Sequence, residues 1–192
     1  MPRNRRPVPR EQKRDELLVA AAELLLTDGY ERASMSRIAD RAGVTPTTLY
    51  WYFRDKDELL VAVADLYLQA LLAEHATVED LPLSEQLAWV ITRLRPVKHL
   101  VVTVHHRLAV SEAVRSWHDH FHRSFEDLFE RQLPGRLPET RRAAEAAAAA
   151  FALEGAVNHD LDEATTRQLC EIVADRLLRS VEARDSAAAP RP

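Results

Sequence analysis

Residues 34 to 58, SMSRIADRAGVTPTTLYWYFRDKDE, concentrate side chains suited to grasping a polyanion. On a short helix Thr47, Thr48 and Trp51 cannot all pack inward beside Leu49 and Phe53, so hydroxyls and aromatic tips are left on its outer face. Thr methyls can meet thymine methyls, Thr hydroxyls can reach base edges or phosphates, and the tips of Tyr50, Trp51 and Tyr52 carry donors for backbone oxygens. Lys56 adds a cation beside the free amides of the next helix start, where a phosphate can sit. The chemistry indicated is recognition of duplex DNA. A competing reading makes Tyr50, Trp51, Tyr52 and Phe53 a local aromatic core. Four consecutive aromatics point around too much of a helix for a small three-helix unit to bury them all.

The elements that must position these groups carry their own signals. Ser34 can cap a short helix whose Ile38, Ala39 and Ala42 form an inward face, and Gly43 permits the left-handed residue that ends it. Val44 offers an apolar plug. Thr45 followed by Pro46 is a cap followed by the residue best suited to a first helical position. Helix, short Gly-containing turn and second helix form the helix-turn-helix plan, in which the second helix enters the major groove. Asp55 and Glu58 are spaced as an acidic capping box for the following helix.

Around this unit the 3.6-residue periodicity predicts nine helical segments and no strand. The first spans residues 11 to 28, with Leu17, Ala21, Leu24 and Leu25 on one face and Gly29 stopping it. The others cover 34–42, 46–53, 56–76, 84–94, 96–110, 112–133, 139–159 and 162–183, with Ser84 expected as an N-cap. The fold class is all-α: a three-helix DNA-binding head over 11–56 and a larger helical effector-binding and dimerisation domain over 57–184. A flexible basic arm (1–10) and a tail (185–192) flank them. Arg3, Arg5 and Arg6 of the arm could enter a minor groove or merely raise local attraction.

Composition excludes several classes. Four glycines in 192 residues are too few for phosphate-cradling loops, hairpins or a doubly wound sheet. A single cysteine, Cys170, permits neither an intrachain disulfide nor a cysteine metal cage, which fits a reducing cytoplasm. No apolar run approaches the roughly 20 residues of a membrane helix. Splitting the charge count after Lys56 gives 11 basic against 8 acidic residues over 1–56, and 15 against 22 beyond it, so a polyanion should meet the N-terminal end. No nucleophile elbow, Cys-His pair or His-Glu metal motif suggests an enzyme, and no cofactor is expected. The rival is a helical interaction module, which would not retain DNA in a salt-dependent way.

Farther along, Trp89, Val104, His105, Leu108, Trp117, Phe121, His122 and Phe125 could line an effector cavity, although packing alone would account for any single one. His118 and His122, four apart on one face, could hold a divalent metal in a metal-responsive regulator; spacing fixes no third ligand, and no metal is assigned. Leu169, Ile172, Val173, Leu177 and Val181 form an apolar stripe. With Ala147 and Phe151 of the Ala-rich segment they could build a four-helix dimer interface. Cys170, beside the stripe, reads as a small core or interface residue.

Residues 14–62 also resemble the TetR family of transcriptional regulators. The resemblance is carried by Leu17, Leu18, Ala21, Leu25, Gly29, Tyr30, Ile38-Ala39, Ala42-Gly43-Val44, Thr48-Leu49-Tyr50, Phe53, Lys56 and Leu59-Leu60. It implies that Ser36, Arg37, Thr47, Thr48, Tyr50, Trp51, Tyr52 and Lys56 contact DNA. It further implies a homodimer that binds a palindromic operator, represses transcription and is released by a small-molecule effector. At Tyr52 the family often has His; Tyr keeps a phosphate donor but changes its reach.

Overall fold

A computed structural model describes residues 9–132, 139–159 and 161–188. The described residues form nine α-helices: α1 (Arg10–Thr27), α2 (Met35–Arg41), α3 (Pro46–Tyr52), α4 (Lys56–His75), α5 (Leu83–Leu94), α6 (Lys98–Arg107), α7 (Glu112–Gln132), α8 (Glu139–Asn158) and α9 (Glu163–Ala188). A 3₁₀ turn, Arg95–Val97, leads directly into α6. No strand occurs among the described residues. The chain divides into two compact units, each built from two stretches: one holds residues up to Tyr67 and His99–Trp117, the other Leu68–Lys98 and the residues from His118 onward. The division expected at Lys56 therefore falls inside the first unit.

In the first unit, α2 and α3 have seven residues each, too short to hold as isolated helices. They persist because Ile38, Leu49 and Phe53 are buried together with Leu17, Leu18 and Leu25 of α1 and Leu59, Leu60 and Val63 of α4. Each fully buried side chain of this size contributes about 2 kcal/mol. The ends are fixed as the sequence suggests: the Ser34 side chain accepts from Arg37 N, and that of Thr45 accepts from Thr48 N, with Pro46 at the first helical position. Gly29 and Gly43 adopt φ of +81° and +65°, a region costly for residues with a Cβ. Asp55 Oδ1 accepts from Glu58 N at 2.8 Å, while the Glu58 carboxylate reaches back to Arg54 N, one residue farther than a standard capping box.

The second unit packs α5 against α8 and α9. Ala146, Ala149, Ala150 and Ala156 line the inner face of α8, where small side chains let helices approach closely. Arg95 Nη2 donates to Leu161 O at 2.7 Å and to Thr166 Oγ1 at 2.8 Å, and Arg176 Nε meets Glu145 at 3.0 Å, tying α9 to its neighbours.

Three helices differ from expectation in their limits; α9 runs to Ala188, past the expected end at 183, so residues 185–188 of the expected tail are helical. The segment expected as one helix over 96–110 begins with the 3₁₀ turn and ends at Arg107, because Ser111 caps α7 through Val114 N and pulls residues 108–110 into a turn. α5 starts at Leu83 with Pro82 in the cap position; Glu85 N and Gln86 N both donate to Pro82 O, so Ser84 lies in the first turn and is not the cap. The arm residues Arg3, Arg5 and Arg6, and tail residues 189–192, lie outside the described residues. No described helix is long and apolar enough to cross a membrane.

Candidate nucleic-acid interface

The outer face of α3 is built by anchoring its inner face. Leu49 is fully buried and Phe53, its C-cap, is 2% exposed, which leaves Trp51 64% and Tyr50 52% exposed. The aromatic-core reading is thereby overturned: of the four aromatics only Phe53 is buried, and Tyr52, half-buried, meets Trp51 edge-on at 4.9 Å. Thr47 is exposed. Thr48 is half-buried, its hydroxyl 3.0 Å from that of the cap residue Thr45. Ser36 and Arg37 are exposed on α2, and Val44 is half-buried between the two helices.

The charged groups are less uniform than their types suggest. Arg37 Nη2 pairs with Asp28 at 2.6 Å and Nη1 donates to Arg32 O at 2.8 Å, so part of its donor capacity secures the α1–α2 turn. Its guanidinium holds the Asp28 carboxyl below the ordinary value. Arg41 is similarly paired with Glu23. Lys56 Nζ sits 3.9 Å over the Tyr30 ring and donates to Tyr30 O at 2.8 Å, which fixes the ammonium at the start of α4. Sequence reasoning missed two cations beside the aromatics: Arg10 lies 4.6 Å over Trp51 and Arg14 lies 5.3 Å over Phe53. Their spacing of four, on the first helix rather than in the arm, was the available signal. Arg54, which directly follows Phe53, has its side chain 79% exposed and lies 3.3 Å from the Asp55 carboxylate.

Behind α3, a polar cluster fixes the first turn of α4. Asp57 accepts from the Tyr30 hydroxyl at 2.5 Å and from Arg107 Nε and Nη2 at 3.0 and 2.8 Å. Burial alone would raise the Asp57 carboxyl, but the hydrogen bonds from Arg107 and Tyr30 outweigh it and hold the group below its ordinary value. Burial, and then the bond to Asp57, push the Tyr30 phenol upward, so it stays a donor.

The expected effector residues fall in both units. In the first, Val104 is buried, His105 Nδ1 is 3.1 Å from Val101 O, Leu108 lies in the turn after α6, and Trp117 Nε1 donates to Asp65 at 3.4 Å. In the second, Trp89 meets His75 edge-on at 5.9 Å, Phe121 packs on Phe125 at 4.7 Å, and His122 Nε2 is 3.2 Å from His118 Nε2. Phe125 borders a cavity of about 10 Å³ with His75, Leu83, Gln86, Leu87, Val90 and Leu128, room for roughly one water molecule. His75 and Gln86 were not anticipated. Both are 3% exposed and bond to one another at 2.9 Å. The available signal was a glutamine on the apolar stripe Leu83, Leu87, Val90, Ile91.

Among the expected dimerisation residues, Phe151 is 66% and Ile172 59% exposed, and Ala147, Leu169 and Val173 are half-buried. Leu177 is 2% exposed, in the chain's own core with Cys170 and Ala174, and so is not available to a partner. The stripe read from the sequence merges two rows: one faces inward and the other outward. The side chain of Val181 lies outside the described residues. Burial pushes the Cys170 thiol up to about 11, which keeps it protonated and unreactive.

Residues 17–63 match the family described as bacterial regulatory proteins, tetR family. The chain is 43% identical over 66 residues to the HTH-type transcriptional activator FasR of Mycolicibacterium smegmatis, covering 34% of this chain and 30% of that protein. It is 37% identical over 68 residues to the tetracycline repressor protein class C of Escherichia coli, covering 35% of this chain and 31% of the repressor. These matches therefore span under a third of the relatives' length. A solved transcriptional regulator from Rhodococcus sp. Rha1 superposes with a TM-score of 0.67 over 88% of this chain and 97% of its own, at 16% identity, which shows a shared fold.

Proposed function

We propose that this chain, a member of the tetR family of bacterial regulatory proteins, is a cytoplasmic transcription regulator that binds duplex DNA through α3. Tyr50 and Trp51 are left largely in solvent on a helix whose Leu49 and Phe53 are locked in the core, and this observation carries the reading. Largely exposed aromatics on a short, rigidly anchored helix add little to the core and are suited to a groove. In this reading Thr47 and Thr48 meet base edges. Ser36, Arg37, Tyr50, Tyr52 and Lys56 hold phosphates, and Arg10 and Arg54 strengthen the field. The relatives are regulators rather than enzymes, and they include both an activator and a repressor.

Two copies joined through the outward rows of α8 and α9, with Phe151 and Ile172 central, would present two recognition helices to a palindromic operator. Its half-sites would lie about 34–36 Å apart or a multiple of that. Repression released by a small effector completes the proposal. The cavity beside His75 and Gln86 must widen well beyond about 10 Å³ to admit an organic molecule, since such sites span roughly 300–1,000 Å³. Effector binding there would bias α4, which contributes residues to both units, with a coupling of about 1–3 kcal/mol.

The test is selection of duplexes from a random pool by the full chain, followed by fluorescence anisotropy across salt. Enrichment of a palindrome and a steep fall of affinity with salt support the reading, whereas equal retention of all sequences would remove sequence-specific regulation.

A further inference from the structure

Arg10 and Arg14 open α1 four residues apart, on the row that continues into the core as Leu17 and Ala21. Both are exposed, and both lie over rings at the C-terminal end of α3: the Arg10 guanidinium is 4.6 Å from the centroid of Trp51, and that of Arg14 is 5.3 Å from that of Phe53. Other cations of the first unit are already neutralised. Lys13 pairs with Glu16 at 2.8 Å, Arg37 with Asp28 at 2.6 Å, Arg41 with Glu23 and Arg54 with Asp55 at 3.3 Å. Among the described residues no carboxylate pairs with Arg10 or Arg14. An aromatic ring leaves their charge intact. It occupies the face of the guanidinium and spares the in-plane N–H groups, which are the ones that grip a phosphate two at a time.

We propose that Arg10 and Arg14, beyond raising the local field, are direct ligands of the DNA backbone, held over Trp51 and Phe53 so that they grip phosphates at the edge of the groove that α3 enters. This contact rests on the reading of α3 as the DNA-binding helix, and it brings a second helix, α1, against the duplex. The dimensions support it. Seven residues make α3 about 10 Å long, and the major groove is about 12 Å wide. A helix that reads bases with its first turn therefore carries its last turn up to the phosphates that border the groove. Trp51 and Phe53 belong to that end, and a guanidinium within 5.3 Å of either ring centroid stands there too. Stacking also fixes each guanidinium plane before DNA arrives, so less side-chain freedom is lost on binding than from an arginine that moves freely.

The experiment follows fluorescence anisotropy of a labelled duplex, taken from the random-pool selection, with the full chain between about 50 and 200 mM salt. Each lost phosphate contact flattens the slope of log affinity against log salt by about 0.9. Arg10→Gln and Arg14→Gln should therefore each flatten it by about one unit and lower affinity at about 0.1 M salt roughly five- to tenfold. Lys13→Gln removes the same charge from a neighbour already paired with Glu16, and should change the slope by less than half as much. Trp51→Leu removes no charge, yet should flatten the slope as well, because the Arg10 plane loses its platform. Arg14→Lys keeps the charge over Phe53 and should keep the slope, with helicity of all variants checked by circular dichroism. A parental slope in Arg10→Gln or in Trp51→Leu would overturn the proposal. So would equal slopes in Arg10→Gln, Arg14→Gln and Lys13→Gln, since α1 would then supply net charge alone. A parent chain without salt-dependent binding to any duplex would instead bring down DNA binding by α3, and this contact with it.

Discussion

Replacing Asp57 by Asn tests how the first turn of α4 is held. The carboxylate accepts three bonds, from the Tyr30 hydroxyl at 2.5 Å and from Arg107 at 3.0 and 2.8 Å. Its side chain is 16% exposed and that of Arg107 29%. Breaking a fully buried pair costs about 3–5 kcal/mol. Partial exposure of Arg107 lets water recover some of that, and Asn keeps one acceptor for Tyr30, so the loss should be about 2–3 kcal/mol. With a urea slope of about 2 kcal/mol/M, the midpoint should fall by roughly 1–1.5 M. Trp51 and Trp117 report the first unit's unfolding in a Trp89→Phe background. The acid dependence follows from the direction of the shift. Because the folded carboxyl lies below its unfolded value, its stabilisation is fully present above about pH 4 and is lost as pH falls through the depressed value. The gap between parent and variant should therefore be level from neutrality to about pH 5 and close in stronger acid. A midpoint change under about 0.3 M, or a gap that stays open in acid, would refute the reasoning.

Other outcomes follow from the same contacts. Lys56→Ala should flatten the log-affinity against log-salt slope by about one unit, whatever duplex is offered; an unchanged slope in anisotropy titrations would leave the ammonium to Tyr30 alone. Gly43→Ala, at φ +65° with open space around its Cα, should cost about 1–2 kcal/mol in denaturant melts from backbone strain alone. A cost near zero would mean the turn relaxes. Phe151→Glu with Ile172→Glu should convert a dimer to monomers in sedimentation, with helicity retained; an unchanged sedimentation coefficient would move the interface elsewhere.

The head was largely legible because its signals are local. Ser34, Gly43, Thr45-Pro46 and Asp55 each act within four residues, and each does in the structure what its type suggests. Long-range pairing was not legible. Nothing in the spacing tells that Arg37 is shared with Asp28, that Arg107 reaches Asp57 fifty residues away, or that Arg10 covers Trp51. On α9, apolar residues occur on both the inward and outward rows, so a periodicity reading could not separate Leu177, which is core, from Ile172, which is exposed. At α6, the capping strength of Ser111 outweighed an apolar pattern that continued past Arg107.

The most direct test of DNA recognition by α3 is to measure Trp51→Ala against the selected duplex and, in parallel, its unfolding midpoint. Trp51 is 64% exposed, with Arg10 over its ring and Tyr52 edge-on to it, so stability should fall by no more than about 1 kcal/mol while affinity falls by at least about tenfold. Undiminished affinity with stability also unchanged would contradict the account.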